Sequence, residues 1–400
     1  MQYYKLDEQL VKDYVQKLGI FSEDADLHVQ EVGDGNLNLV FKIREEKNGK
    51  SVVLKQALPY VRCVGESWPL SIDRTRIEAD ALEKQNELAA GLVPEIFHRN
   101  DDMALIVMED LSHLGLMRHG MIQMKKYPDF AEHISTFLAD MLFYTSDLYL
   151  SSEEKKMLVG KFINHELCKI TEDLIFTDPY YDAERNNINP ALRPYLENTF
   201  WKKPDLRLEA SKLKYKFLTE AQSLLHGDLH TGSIFADEKE TRVFDTEFAF
   251  VGPSAFDVGK IIGNFLINYV SWNGKDVSQD KVQDYRRFLL ETIQDLYTLF
   301  EEKFRRNWDK DVHDPAARVP GYQDFYMRNM FVDAIGYAAA VMIRRIHGLA
   351  HNLDVDGIED LEKRRDVQIS ILELAEALMM NRDKFQHIQE VTSYVQERIF

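Results

Sequence analysis

Cysteine is scarce: Cys63 and Cys168 are the only two in 400 residues, far apart and each without a metal-type neighbour. That excludes a disulfide framework or a zinc knuckle and fits a reducing compartment such as the cytoplasm. No run reaches the roughly 18 apolar residues a membrane-spanning helix needs. The opening MQYYKLDEQLVKDYVQ has neither the apolar core nor the cleavage site of a signal peptide. Neither a membrane nor a targeting signal is expected. Internal repeats and low-complexity tracts are also lacking. Positive charge is in deficit, with 49 Lys and Arg against 67 Asp and Glu and a net charge of −18. A polyphosphate backbone would be repelled at long range, so no nucleic-acid partner is expected. A small anionic ligand stays open where local cations or a metal override the overall field.

What is present suits roughly two to three domains of about 100–200 residues each. Leu6, Leu10, Val11, Tyr14, Val15 and Leu18 recur at helical spacing. NLVFKIREEKNGKSVVLKQAL reads as a β-hairpin around Asn48-Gly49, a strong turn signal. Residues 72–90 read as a helix with Ile77, Ala81, Leu82 and Leu88 inward, and EIFHRNDDMALIVMED as a second hairpin turning at Asn100–Asp102. From about residue 128 helices dominate, over 128–149, 152–175, 206–224, 255–271, 281–304, 324–350 and 360–381, interrupted by short strands in SIFAD and TRVFDT. The expected class is α+β: a small β-rich lobe, 1–111, followed by a large mainly helical lobe, 112–400.

Three stretches carry chemistry. In EVGDGNLNLVFKI, Gly33 and Gly35 precede a strand, where backbone N–H groups could approach an anion. Lys55 lies in the apolar run SVVLKQAL, where an ammonium needs a partner or a route to water. Glu78 and Glu83 on the next helix are candidate partners, with Glu78 preferred. In LLHGDLHTGSIFADEKETRVFDTEFAF, Asp228 sits between His226 and His230, and Asp245 and Glu247 follow at i, i+2. An aspartate can accept a hydroxyl proton during phosphoryl transfer. On an extended segment Asp245 and Glu247 would face one side, as paired hard oxygens suited to Mg²⁺. The alternation of His226, Asp228 and His230 also admits a rival reading, a metal-dependent hydrolase, if all three lie on a strand. The simpler reading of both histidines is imidazoles bonded to loop backbone. Lastly, Arg344 and Arg345 fall in FVDAIGYAAAVMIRRIHGLAH, an almost wholly apolar helix, so at least one should point inward and need a partner.

Taken together, these stretches resemble the protein-kinase-like fold in its aminoglycoside-phosphotransferase and choline-kinase branch. EVGDGNLNLVFKI, ESWPL, VMEDLSHL, HGDLHTGSIFA and GLAH after paired arginines resemble more closely the 5-methylthioribose kinase family, over about residues 30–350. The resemblance implies a bilobal kinase fold with ATP between the lobes and adenine against Glu109, Asp110 and Leu111. It implies that Asn38 and Lys55 contact phosphates, that Asp228 is the catalytic base at the acceptor, and that Asp245 and Glu247 of the Asp245-Thr246-Glu247 motif hold Mg²⁺. The implied acceptor is the anomeric hydroxyl of 5-methylthioribose, touched by Arg344, Arg345 and Trp68. A cytoplasmic homodimer is implied as well. Asp257 is expected to brace the catalytic loop by accepting its N–H groups.

Two positions depart from the wider kinase pattern. Ser233 stands where most relatives carry a metal-binding asparagine, and Glu247 is read as the compensating ligand. Thr246 stands where the subfamily is expected to have proline. Without that compensation the chain would be a pseudokinase, a nucleotide-binding scaffold without catalysis. Other acceptors of the branch (choline, homoserine, an aminoglycoside) stay open on the residues alone. A cationic acceptor would want an acidic or aromatic cage, which the arginine pair does not offer.

Overall fold

The computed structural model describes residues 3–33, 37–62 and 65–399. Gly35 of the glycine pair and Cys63 lie outside the described residues. Contacts divide the chain into two compact units, Met1–Leu114 with Arg242–Ala249, and Gly115–Thr241 with Phe250–Phe400.

The first unit opens with helix α1 (Glu8–Gln16), whose start is capped by the Asp7 carboxylate accepting the N–H of Leu10. Strands β1 (Leu27–Glu31), β2 (Asn38–Glu45) and β3 (Ser51–Ala57) follow, then a short ribbon of β4 (Tyr60–Val61) and β5 (Gly65–Pro69). Helix α2 (Arg74–Leu88) and strands β6 (Ile96–Asn100) and β7 (Leu105–Glu109) complete it. Both expected hairpins form. The five long strands make an antiparallel sheet ordered β1-β2-β3-β7-β6. Period-two alternation puts Leu39, Phe41, Ile43, Val52, Leu54, Leu105 and Val107 on the face that packs against Val11 and Val15 of α1. The same alternation turns Lys55 to the other face. It pairs with Val40 and Ile106 in register there and is still only 7% exposed.

The second unit starts with β8 (Gly115–Leu116) and α3 (Met117–Ile122), followed by α4 (Phe130–Tyr144), α5 (Ser152–Lys161), α6 (His165–Phe176), α7 (Arg193–Asn198) and α8 (Pro204–Thr219). Short strands β9 (Ser223–Leu225), β10 (Ile234–Ala236), β11 (Thr241–Val243) and β12 (Phe250–Gly252) come next, with β9 paired to β12 and β8 to β10. Then come α9 (Ala255–Ser271), α10 (Gln279–Asp311), α11 (Tyr322–His347), α12 (Leu353–Asp356), α13 (Leu361–Asn381) and α14 (Ile388–Arg398). The single helix expected over 152–175 is two. α5 starts with a Ser151/Glu154 capping box and stops at Phe162, and α6 begins after Asn164. Every residue of α9 is buried. Glycines let it approach α11: a Cβ on Gly263 would lie 2.7 Å from the Ala338 carbonyl oxygen, and one on Gly259 2.5 Å from that of Ala334. This contact fixes which residues of α9 and α11 share a level in the core. Among the described residues no helix is long and apolar enough to cross a membrane.

Candidate active-site residues

In the first unit one buried cation gathers carboxylates from distant parts of the chain. Lys55 Nζ lies 2.9 Å from Glu78 Oε1 on α2 and 2.5 Å from Asp245 Oδ1. Behind them Glu247 Oε2 accepts the Asn38 amide at 2.8 Å and lies 3.3 Å from Arg74 Nε. Arg74, the first residue of α2 and 2% exposed, also donates to Asn38 Oδ1 at 2.9 Å and to the carbonyl oxygens of Leu37 and Ser71. Glu83, the other candidate partner for Lys55, pairs with Arg99 instead.

Among the described residues the carboxylates of Glu78, Asp245 and Glu247 meet the cations of Lys55 and Arg74. Burial works against the Lys55 charge, but Asp245, Glu78 and Glu247 outweigh it and hold the ammonium's pKa above its ordinary value. Burial pushes the Glu78 carboxyl up to about 7 against the pull of Lys55, with Asp245 and Glu247 adding to the rise. Glu247 is raised too, first by burial. The lysine touches two carboxylates and stays charged, while burial raises the Glu78 and Glu247 carboxyls.

The Asp245–Glu247 segment is not extended, which corrects the expectation that both side chains face one way. Asp245 has φ +68°, a left-handed conformation uncommon outside glycine but tolerated by aspartate. The turn sends Asp245 toward Lys55 with 43% of its side chain exposed, and Glu247 inward with 5%. Thr246 between them is buried, its hydroxyl donating to the Glu78 carbonyl oxygen at 3.4 Å.

In the second unit the segment 226–233 is a loop, with Gly227 at φ +80°. That removes the strand alternation on which the metal-dependent hydrolase reading depended. His226 Nδ1 accepts the N–H of Asp228 at 3.2 Å, and His230 Nδ1 accepts that of Gly232 at 2.9 Å. Among the described residues no group of three or more His, Cys, Asp or Glu side chains is placed to hold a metal ion. The loop is braced from two sides. Asp257, in the first turn of α9, accepts the N–H groups of His226 and Gly227 at 2.7 and 3.1 Å. Ser233 Oγ accepts the N–H of His230 and lies 2.9 Å from the carbonyl oxygens of Asp228 and His230.

Both oxygens of the Asp228 carboxylate are engaged. Lys260 Nζ, from α9, bonds Oδ1, and His230 Nε2 lies 3.3 Å from Oδ2. Because His230 Nδ1 accepts from Gly232, the ring proton is assigned to Nε2, facing Asp228. Burial pushes the His230 pKa down to about 3 against the pull of Asp228, with Arg118 adding to the fall, so the ring is neutral. Burial alone would raise the Asp228 pKa. Lys260, His230 and Arg345 outweigh it and hold the carboxyl well below the usual range. The side chain keeps 26% exposure, so its charge remains reachable.

Arg344 and Arg345 come from the last turn of α11, Arg345 only 6% exposed. Burial lowers the pKa of both, and Arg344 and Arg118 lower that of Arg345 further. Arg345 Nη1 reaches the His351 carbonyl oxygen at 3.5 Å, and the Nε atoms of both arginines are buried without a hydrogen bond among the described residues. Four cations (Lys260, Arg344, Arg345 and Arg118 of α3) thus face Asp228 inside a chain of net charge −18. Buried guanidinium N–H groups of this kind suit a hydroxyl-rich or phosphorylated ligand.

Residues 28–296 match the phosphotransferase enzyme family. A methylthioribose kinase from a Geobacillus species is 42% identical over 391 residues, covering 98% of this chain and 95% of that relative. Another from Yersinia pseudotuberculosis serotype IB is 42% identical over 369 residues, covering 92% and 90%. The chain belongs to the phosphotransferase enzyme family, among the methylthioribose kinases. A solved structure, a glucosamine kinase in complex with glucosamine, ADP and inorganic phosphate, matches with a TM-score of 0.50 at 11% identity, covering 94% of this chain and 84% of that one. That likeness is one of fold, and the α+β, kinase-like class expected from the sequence holds.

Within this phosphotransferase the first unit brings together Asn38, Lys55, Asp245, Thr246 and Glu247. The second brings together Asp228, Arg344 and Arg345. Glu109, Asp110 and Leu111 end β7 and follow it. Glu109 Oε2 meets Arg242 at 3.1 Å, Asp110 is held by Lys42, Ser51 and Ser112, and Leu111 is buried. Trp68 stands half-buried on the β4–β5 ribbon. Sequence reasoning missed Arg74, Arg118 and Lys260. For Lys260 a signal existed: Asp257, Lys260, Asn264 and Asn268 recur at three- and four-residue steps along a helix otherwise apolar, a polar stripe on one face. Asn264 accepts from Arg118, and Asn268 donates to Asp354.

Proposed function

We propose that this enzyme transfers the γ-phosphoryl group of ATP to the anomeric hydroxyl of 5-methylthioribose, giving the 1-phosphate and ADP, a step of methionine salvage. The observation that carries the acceptor is the near full-length match to curated methylthioribose kinases. Lys55, held by Glu78, meets the phosphates, and the segment Glu109–Leu111 meets adenine. Asn38 and Arg74 fix Glu247. The donor set around Lys55 fits a divalent cation, being hard carboxylate oxygens, with Asp245 still 43% exposed. Asp245 and Glu247 would hold Mg²⁺, which supplies charge neutralisation at the phosphates. Glu247 thus takes over the ligand role that Ser233, committed to the loop backbone, does not fill.

In the transfer, the acceptor oxygen bonds to phosphorus as its proton passes to Asp228, and the bond from phosphorus to the β,γ-bridging oxygen breaks. Asp228 is a weak base by its environment. It serves by orientation and by taking the proton late, after which solvent removes it. Arg344 and Arg345 bond the ribose hydroxyls and then the new phosphate, and Trp68 closes over the thioether. We extend the reading to a cytoplasmic homodimer; sedimentation of the purified chain tests the dimer. The activity is tested by ADP release with 5-methylthioribose, choline, homoserine and an aminoglycoside. The expected result is turnover with the thiosugar alone; faster turnover of choline or an aminoglycoside would replace this reading.

A further inference from the structure

Lys260 is 3% exposed, a burial that costs an ammonium dearly unless its charge is used. It bonds Asp228 Oδ1 and donates to the Gly227 carbonyl oxygen at 3.2 Å. The loop backbone does not depend on it alone, because Asp257 and Ser233 brace that backbone on either side of Asp228. What Lys260 adds is its bond to the carboxylate itself. With His230 Nε2 on Oδ2, the two donors set the carboxylate plane and leave one lone pair on each oxygen for a third group.

We propose that Lys260 is a positioning residue for phosphoryl transfer, holding the Asp228 carboxylate in one orientation and in its charged form so that a lone pair faces the acceptor hydroxyl. The proposal rests on the kinase reading above. The charged and titratable groups facing Asp228 are Lys260 from α9, His230 from its own loop, Arg344 and Arg345 from α11, and Arg118 from α3. His230 is neutral. Of the groups that favour the charged form of Asp228, Lys260 comes first, ahead of His230 and Arg345. Burial lowers the Lys260 pKa against the pull of Asp228. The sign is therefore clear: without Lys260 the Asp228 pKa rises, and activity that needs the anion is lost on lowering the pH.

Full-length Lys260→Met and Lys260→Gln test this, with Lys260→Arg as the conservative variant and thermal melting to confirm the fold. Assays use whichever acceptor the parent turns over, so a misassigned acceptor sinks the functional reading and leaves this test intact. The expected kcat is about 10–100-fold below the parent, with KM for the acceptor little changed. The ratio of variant to parent kcat should fall further as the pH is lowered from about 6 toward 4, because burial then raises the Asp228 carboxyl with less charge opposing it. Lys260→Arg should recover most of the kcat and flatten the ratio. A ratio independent of pH in both the Met and Gln variants overturns the proposal, whatever their kcat, because a merely structural lysine would lower activity equally at all pH values.

Discussion

Gly263 of α9 and Ala338 of α11 meet backbone to backbone, so close that a Cβ at 263 would stand 2.7 Å from the Ala338 carbonyl oxygen and 3.2 Å from its Cα. Neither atom is the end of a flexible side chain, so the helices themselves must separate to admit one. Gly263→Val should therefore destabilise the protein by about 1–3 kcal/mol or more through overpacking. It should also lower kcat, because α9 carries Lys260 and α11 carries Arg345. Urea unfolding and steady-state kinetics of the same preparation check both.

Lys55 and Glu78 make a second prediction. Removing one member of a buried ion pair usually costs about 3–5 kcal/mol, because the other charge is left stranded. Here the loss of stability should be small on either side. Lys55→Met leaves Glu78, whose carboxyl already sits at about 7 and can take a proton. Glu78→Gln leaves Lys55 with Asp245. Both variants should melt within a few degrees of the parent, while KM for ATP rises strongly only in Lys55→Met. A large loss of stability in both would show the pair to be structural.

Asp110 gives a pH prediction. Burial would raise its pKa, but Ser51, Ser112 and Lys42 together bring it down to about 2, against an ordinary carboxylate value near 3.9. A depressed carboxyl contributes stability that is present in full above the unfolded value and lost as pH falls through the folded one. Asp110→Asn should thus be less stable than the parent at pH 7. The difference should shrink between pH of about 4 and 2, read by urea midpoints across that window. A gap that stays constant to pH 2 would contradict the assignment.

Arg345 tests whether stability has been given up for function. Its cationic form is disfavoured by burial and by Arg344 and Arg118, with Asp228 and Asp354 opposing. Arg345→Met, of similar length and uncharged, should leave the melting temperature unchanged or raise it. Turnover should fall by about tenfold or more, as for loss of a charged contact made in the transition state. A lower melting temperature with intact turnover would make the residue a structural brace.

The legible parts of this molecule were those with local physical signals. The Asn48-Gly49 turn and alternating Phe41, Ile43, Val52 and Leu54 define the first hairpin by period alone. Lys55 is legible because an ammonium in an apolar strand needs a partner, and helix position points to Glu78, 2.9 Å from its Nζ. Asp257 bracing the loop was also readable. Arg74 was not, since an arginine at a helix start resembles a surface cation until its carboxylate partner, 173 residues away, is brought to it. The left-handed Asp245 escaped for a related reason: the i, i+2 spacing implies a shared face only on extended backbone. Nothing in the composition of 242–249 marks it as packing with the first unit.

The central claim is that Asp228, ionised and held at both oxygens, accepts the acceptor's proton. Asp228→Asn keeps the shape and removes the charge, so its kcat with 5-methylthioribose and its ATP affinity, measured side by side, are the most direct test. The account predicts kcat lower by about 10²–10⁴-fold with ATP affinity within about twofold of the parent. A kcat within a few-fold of the parent would contradict it.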